Sequence, residues 1–337
     1  MSGVIERYRD ALPFAPGDPV VSLDEGSTPL VAAPSISAEV GAEVWLKLEG
    51  ANPTGSFKDR GMTCAVSAAV REGAEAIICA STGNTAASAA AYAARAGLTG
   101  AVIVPEGKIA TGKLAQALVH GARVVALRGN FDQALALVRE LVDRHPMALV
   151  NSVNAYRLEG QKTAAFELLD ELDSEIDALC IPVGNAGNIT AYWKGFGERG
   201  AAPKMLGFQA EGAAPLVLGA PVEHPETVAS AIRIGNPVRW EEAMGAVTGS
   251  RGAIRAVSDE EILAAWRMLA AREGVFCEPA SAASVAGLLR YGAGDARRIV
   301  CVLTGHGLKD PQTALDRAGA VVPCEPELDA VEEAVLG

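Results

Sequence analysis

Several short stretches of this chain combine residue types that can do covalent or anion chemistry. The first runs Lys47-Leu48-Glu49-Gly50-Ala51-Asn52-Pro53-Thr54-Gly55-Ser56-Phe57-Lys58-Asp59-Arg60-Gly61. Its turn-rich Asn-Pro-Thr-Gly-Ser run ends at Lys58, which opens a helix-like stretch of small residues. An amine at the positive end of a helix dipole has its neutral, nucleophilic form favoured. A lysine in that state can form a Schiff base with a carbonyl cofactor. The alternative is a solvated surface lysine, and this stretch by itself leaves both open.

Two further stretches follow apolar runs and open helices. Ser81-Thr82-Gly83-Asn84-Thr85-Ala86 clusters hydroxyls and amides around one glycine. One such residue would suffice as a helix cap, so the cluster points to anion binding. Pro182-Val183-Gly184-Asn185-Ala186-Gly187-Asn188-Ile189 places two glycines where successive N–H groups can cradle a phosphate. Its spacing does not match the dinucleotide fingerprint GxGxxG, which argues against a nicotinamide cofactor. Gly107-Lys108-Ile109-Ala110-Thr111-Gly112-Lys113-Leu114 nearly matches a nucleotide-binding P-loop, but Leu114 stands where Ser or Thr must hold magnesium. Asn151-Ser152-Val153-Asn154-Ala155-Tyr156-Arg157 offers an arginine, two amides and a hydroxyl, enough to grip a phosphate or carboxylate. Thr304-Gly305-His306-Gly307-Leu308-Lys309 follows the last apolar run. His306 alone among the four histidines lies in such a stretch; His120, His145 and His224 show no ligand spacing, so no metal site is expected.

These stretches need elements to hold them. Short β-rich apolar runs alternate with Ala- and Leu-rich helical stretches: 76–80, 101–104, 123–127, 148–150, 179–183, 205–208 and 299–303. Strands apolar on both faces and separated by helices imply an α/β protein with parallel sheets covered on both sides. The chemistry then sits at the carboxyl ends of the strands, where such folds keep their sites. The 337 residues suit two domains. The four evenly spaced units within 55–150 read as a small domain; residues 1–54 and 151–337 read as a larger one built from two separated pieces of chain. Scarce aromatics and abundant Ala and Gly predict closely packed helices.

The formal net charge of −12 argues against nucleic-acid or anionic-membrane partners. No apolar run approaches the roughly 20 residues needed to span a bilayer. The opening MSGVIERYRDALPF carries acids and no apolar core, unlike a signal peptide. Six cysteines without a CxxC pair (Cys64, Cys79, Cys180, Cys277, Cys301, Cys324) read as thiols in a reducing cytoplasm.

Taken together, from Gly26-Ser27-Thr28-Pro29-Leu30 to Thr304-Gly305-His306-Gly307-Leu308-Lys309, the stretches resemble the threonine synthases within the fold-type-II pyridoxal-phosphate enzymes, the group that includes tryptophan synthase β. The resemblance implies two parallel-sheet domains and pyridoxal 5′-phosphate bound to Lys58 as a Schiff base. It also implies that Asn84 hydrogen-bonds the 3′-oxygen of the cofactor ring, that Gly184, Asn185, Ala186, Gly187 and Asn188 hold its phosphate, and that Thr304 faces the pyridine nitrogen. Serine and threonine dehydratases resemble the lysine motif but usually carry an all-glycine phosphate loop, whereas GNAGN is similar to threonine synthase. Asn151, Ser152 and Arg157 resemble the family's substrate-phosphate site, with Ser81 and Thr85 added to that pocket. The Ser81-to-Thr85 turn, Thr82 included, is the expected holder of the substrate carboxylate. The implied reaction takes O-phospho-L-homoserine and water to L-threonine and phosphate, in a homodimer. The alternatives are a threonine or serine dehydratase, a β-replacing synthase, or a catalytically silent metabolite-binding homologue.

Overall fold

The computed structural model describes residues 2–106, 111–129, 131–173, 175–317 and 321–336. The ten strands described are β1 (Leu30–Ala32), β2 (Glu43–Leu48), β3 (Ala76–Ala80), β4 (Thr99–Pro105), β5 (Arg123–Leu127), β6 (Met147–Leu149), β7 (Ala178–Pro182), β8 (Lys204–Ala210), β9 (Ala253–Val257) and β10 (Arg298–Leu303). The helices are α1 (Val4–Arg7), α2 (Pro34–Val40), α3 (Lys58–Arg71), α4 (Asn84–Ala96), α5 (Thr111–Val119), α6 (Phe131–Arg144), α7 (Ala155–Glu171), α8 (Gly187–Glu198), α9 (Pro215–Leu218), α10 (Trp240–Ser250), α11 (Asp259–Glu273), α12 (Pro279–Tyr291), α13 (Pro311–Arg317) and α14 (Leu328–Leu336).

The strands form two sheets, one ordered β1-β2-β10-β7-β8-β9 and the other β5-β4-β3-β6. Every pairing is parallel except β1 on β2, which is antiparallel. The fold is therefore α/β with two essentially parallel sheets, as the alternating apolar runs require. All five residues of β3 and of β7 are buried, matching their unbroken apolar sequences.

Three strands escape a reading based on apolar runs. β2, Glu43–Leu48, carries a charge toward each end of its apolar centre, and Lys47 is buried because its ammonium meets Glu167 at 3.0 Å. β1 has three residues, and β9 is an edge strand with an exposed Arg255. β5 also departs from the expectation of two covered faces, because it is the edge of the smaller sheet and leaves Val125 exposed.

One side of the larger sheet buries Val44, Leu46, Cys180 and Cys301 against α2, α11 and α12. The other buries Leu179, Ile181, Val300 and Val302 against α7, α8 and α10. The smaller sheet packs Ile77, Cys79, Val102 and Val104 against α3, α4 and α5, while α6 lies along β3, β4 and β6. The thin helices approach closely where α3 crosses α7. A Cβ on Gly160 would fall 1.8 Å from the Arg60 carbonyl oxygen, and one on Gly61 would fall 2.7 Å from that of Arg157. Only glycine fits at either place, and the crossing sets Arg157 against the turn of α3 that follows Lys58.

Candidate active site

Five loops carry the residues singled out by sequence, each leaving the carboxyl end of a strand: 49–57 after β2, 304–306 after β10, 183–186 after β7, 81–83 after β3 and 150–154 after β6. Adjacent parallel strands keep neighbouring loops together: β2 pairs β10, β10 pairs β7, and β3 pairs β6.

Lys58 is the first residue of α3. The turn before it is pinned to the end of β10: Phe57 N–H donates to the Thr304 carbonyl (3.0 Å), and His306 N–H donates to the Gly55 carbonyl (2.9 Å). Gly55 has φ +85°, left-handed backbone that favours glycine. Asp59 locks the turn from inside, accepting from Thr54 N–H (2.7 Å), Thr54 Oγ1 (2.6 Å) and Ser88 Oγ (2.6 Å). Burial pushes the Asp59 carboxyl up to about 6 despite these bonds. Arg60 then ties α3 to the larger sheet: Nε and Nη2 donate to Glu49 at 2.7 and 2.8 Å, while Nη1 and Nη2 donate to Glu167 at 2.8 and 2.6 Å. Asp59 and Arg60 lie within the quoted motif, but no role was expected of them.

The Lys58 side chain is half-buried, with its amine 4.1 Å from the centroid of the Phe57 ring. Loss of solvent around the amine brings its ammonium down to about 7, with Arg157 pulling the same way and Glu278 pushing back. A lysine poised near neutrality is a nucleophile and a proton carrier rather than a fixed charge.

The Ser81-to-Thr85 turn does not cap its helix. Gly83 occupies the N-cap of α4 without a side-chain cap bond, and Ser81 Oγ accepts a local bond from Gly83 N–H (3.3 Å). Capping therefore leaves Thr82 and Thr85 unused. Asn84 Nδ2 donates to both Glu278 oxygens, at 3.0 and 3.2 Å. Asn151 behaves differently from a free ligand. Its Oδ1 accepts from Ala80 N–H and its Nδ2 donates to Ala80 O, both at 2.9 Å, so its amide clamps the end of β3 beside Ser81.

Arg157 is buried, and among the described residues its side chain makes one bond, from Nη1 to the Val150 carbonyl (2.8 Å), while its Nε has no partner. Burial lowers its guanidinium to about 10, with Cys79 and Asp59 opposing. In the 183–188 loop Ala186 adopts left-handed backbone, φ 64°, at the N-cap of α8. A Cβ on Gly184 would lie 3.1 Å from Ile232 Cα, whereas one on Gly187 would meet nothing within 4 Å. Asn188 Nδ2 is buried and has no partner among the described residues. Arg239 bridges this loop to the 151–157 segment, its N–H donating to Asn185 O and its Nη2 to Val153 O, both at 3.3 Å. Thr304 Oγ1 lies 2.9 Å from Ser281 Oγ.

The P-loop near miss falls partly outside the described residues, which omit 107–110; within it the Leu114 side chain is buried in the core of the smaller sheet. No group of His, Cys, Asp and Glu that could hold a metal occurs among the described residues. Sequence reading missed Glu278 and Ser281, on the segment that opens α12. The available signal was Glu278 directly before Pro279, a carboxylate at a helix start where it makes no side-chain cap bond.

A nucleophilic, desolvated lysine and a glycine-rich helix start, on loops after β2 and β7 on either side of β10, are what a carbonyl-cofactor enzyme site requires. Residues 21–305 match the family described as pyridoxal-phosphate dependent enzyme, and the chain belongs to that family. Within it, the chain is 57% identical to the threonine synthase of Synechocystis sp., covering 99% of this chain and 90% of that protein. It is 54% identical to the threonine synthase of Halalkalibacterium halodurans, covering 95% and 94%. The fold is similar to maize serine racemase, with TM-score 0.79 at 21% identity over 94% of this chain and 98% of that one. The processed form of threonine deaminase isoform 2 from Solanum lycopersicum gives 0.78 at 21% identity over 94% and 90%. The protein is pyridoxal-phosphate dependent. Its residues fit the cofactor: an Asn188 Nδ2 without a partner among the described residues and the open space at Gly187 suit a phosphate, and the near-neutral Lys58 suits the aldehyde.

Proposed function

We propose that the chain is a threonine synthase, converting O-phospho-L-homoserine and water into L-threonine and phosphate. The observation that carries this reading is Arg157, outside the 184–188 loop: it is buried at the Lys58 end of α3 with Nε unpaired among the described residues, which we read as a second anion site. A dehydratase, whose substrate has no phosphate, does not need it. The high identity to enzymes named threonine synthase supports the same reading.

In this proposal Lys58 holds the cofactor, Asn84 faces its ring oxygen, Gly184 to Asn188 hold its phosphate and Thr304 faces its ring nitrogen. When bound, pyridoxal phosphate supplies the electron sink for carbanion chemistry. Lys58 Nζ, free once the substrate amine has displaced it and poised near neutrality, would take the α-carbon proton and then one from the β-carbon, and would supply the proton that the γ-carbon gains once phosphate has left and the one the α-carbon regains. Arg157 and Ser152 grip the substrate phosphate and stabilise it as it leaves the γ-carbon. Asn151 clamps Ala80, keeping the Ser81, Thr82 and Thr85 hydroxyls available to the substrate. Water then adds at the β-carbon.

The domain division (1–54 with 151–337, and 55–150) is part of the proposal, supported by the two sheets. So are a cytoplasmic location, supported by six cysteines that are all free thiols, and a homodimer, which sedimentation tests. No helix among the described residues is long and apolar enough to cross a membrane.

The deciding experiment starts with the visible spectrum of the purified protein. A band removed by borohydride, with the label mapped to Lys58, is expected. Stoichiometric phosphate and threonine from phosphohomoserine should follow. A 2-oxo acid from threonine without that activity would replace the synthase by a dehydratase. A colourless protein that takes up no added cofactor would overturn the reading.

A further inference from the structure

Glu278 is buried where both sheets contribute to the site. At the start of α12 its carboxylate makes no cap bond and instead accepts from Asn84 Nδ2 on α4, at 3.0 and 3.2 Å. Its N–H donates to Gly305 O (3.0 Å), and a Cβ on residue 305 would lie 2.4 Å from its Oε1, so glycine there gives the carboxylate room. The titratable groups facing it are Lys58 at the start of α3, Lys309 and Asp310 beyond β10, and the neighbouring Cys277 thiol. Lys309 donates to Thr54 O (3.0 Å) and Gln116 Oε1 (2.7 Å).

Asn84 Nδ2 carries two hydrogens. Holding that nitrogen against a carboxylate decides the amide's orientation, because a flip would set Oδ1 against the Glu278 oxygens. One N–H shared between the two oxygens of a single carboxylate accounts for both contacts and leaves the other N–H for a further acceptor. A carboxylate buried near Lys58 also favours the amine's charged form.

We propose that Glu278 is a positioning residue of the active site: it fixes which end of the Asn84 amide is offered to the cofactor, and its negative charge offsets that of Lys58. The proposal rests on the reading that Lys58 and Asn84 hold pyridoxal phosphate. Burial raises the Glu278 carboxyl above its usual range, while Asn84, Lys309 and Lys58 oppose that rise.

The test compares Glu278→Gln with Glu278→Ala. Gln keeps an acceptor for Asn84 but loses the charge; Ala loses both. In protein stripped of cofactor, the pH midpoint at which Lys58 reacts with an amine reagent, read by peptide mapping, should fall by about one unit in either variant. Fluorescence titration with pyridoxal phosphate should find the Gln variant within about threefold of the parent, and the Ala variant about tenfold weaker. An unmoved or raised Lys58 midpoint in Glu278→Gln overturns the charge role. Parental cofactor affinity in Glu278→Ala overturns the positioning role. Should either variant fail to fold, Asn84→Ala carries the test: its cofactor affinity should fall about tenfold, and unchanged affinity sinks the proposal. A parent protein that binds no pyridoxal phosphate would fail the cofactor reading itself, a different result from any of these.

Discussion

Arg60 and Arg157 are both buried, and both lie at the crossing of α3 and α7, where Gly61 and Gly160 bring the helices together. Their surroundings are opposite. All three nitrogens of Arg60 are bonded, to Glu49, Glu167, Thr28 and Thr163. Burial works against its charge, but Glu167 and Glu49 outweigh that and hold its pKa well above the usual value. Among the described residues Arg157 has one backbone carbonyl and no carboxylate, and burial wins. The protein completes the first arginine by itself, and in the proposed reading the second is left for the substrate phosphate. The same division runs through the molecule. Asp59 is saturated by Thr54 and Ser88, whereas Asn188 Nδ2 has no partner among the described residues. Functional capacity lies where buried polar groups remain unsatisfied, next to groups whose satisfaction holds them still.

The largest expected effect tests the group between these two regions. Lys58→Ala should abolish turnover while leaving the Arg60 network, and cooperative unfolding, intact. Threonine formation retained by that variant would sink the mechanism. Next, Arg157→Ala should lower kcat/KM for phosphohomoserine by about 10²–10³-fold, the scale of losing one charge stabiliser in a transition state. Its stability should stay within about 1 kcal/mol of the parent, because the removed charge has no carboxylate partner among the described residues. Arg60→Met inverts the pattern. It takes the guanidinium from Glu49, leaves Glu167 to Lys47, and should cost about 3–5 kcal/mol in denaturant unfolding of the cofactor-free protein. Comparable stability loss in the Arg157 and Arg60 variants would break the comparison.

Much of the open region was legible in sequence. The Ser81–Thr85 and Gly184–Asn188 turns were marked by more polar or glycine residues than a helix start requires, each following a clear apolar strand. The saturated region was less so, because its partners are far apart in the chain: Arg60 meets Glu167 across 107 residues. No local pattern encodes such a pair. Glu43 and Lys47 even obscured β2, since their charges bound the short apolar run that would have announced a buried strand. Glu278 was missed for the same reason, its partner Asn84 lying 194 residues away. Asn151 shows the reverse limit. Its residue type suits an anion site, but its amide closes on Ala80, a contact that only the β3–β6 pairing brings within reach.

The smallest effect sharpens the comparison on the stability side. Lys58, unlike Arg60, loses solvent around its amine without gaining a bonded carboxylate, and its pKa falls from 10.5 to about 7. Above pH 10.5 the amine is neutral in both folded and unfolded chains, so its titration has no influence on stability. As pH falls from 10.5 to 7 the unfolded chain takes up the proton and the folded one does not, which lowers stability by about 1.4 kcal/mol per pH unit as an upper bound. Below 7 both forms are protonated and the penalty is constant. Lys58→Met, which fills the same space without a charge, should therefore unfold later than the parent in the cofactor-free state. The gain should be largest at about pH 6–7 and shrink steadily toward about pH 10. A gain independent of pH would mean that Lys58 is not the strained group its desolvation implies, and that the open side of the site is held in place by something other than its unsatisfied groups.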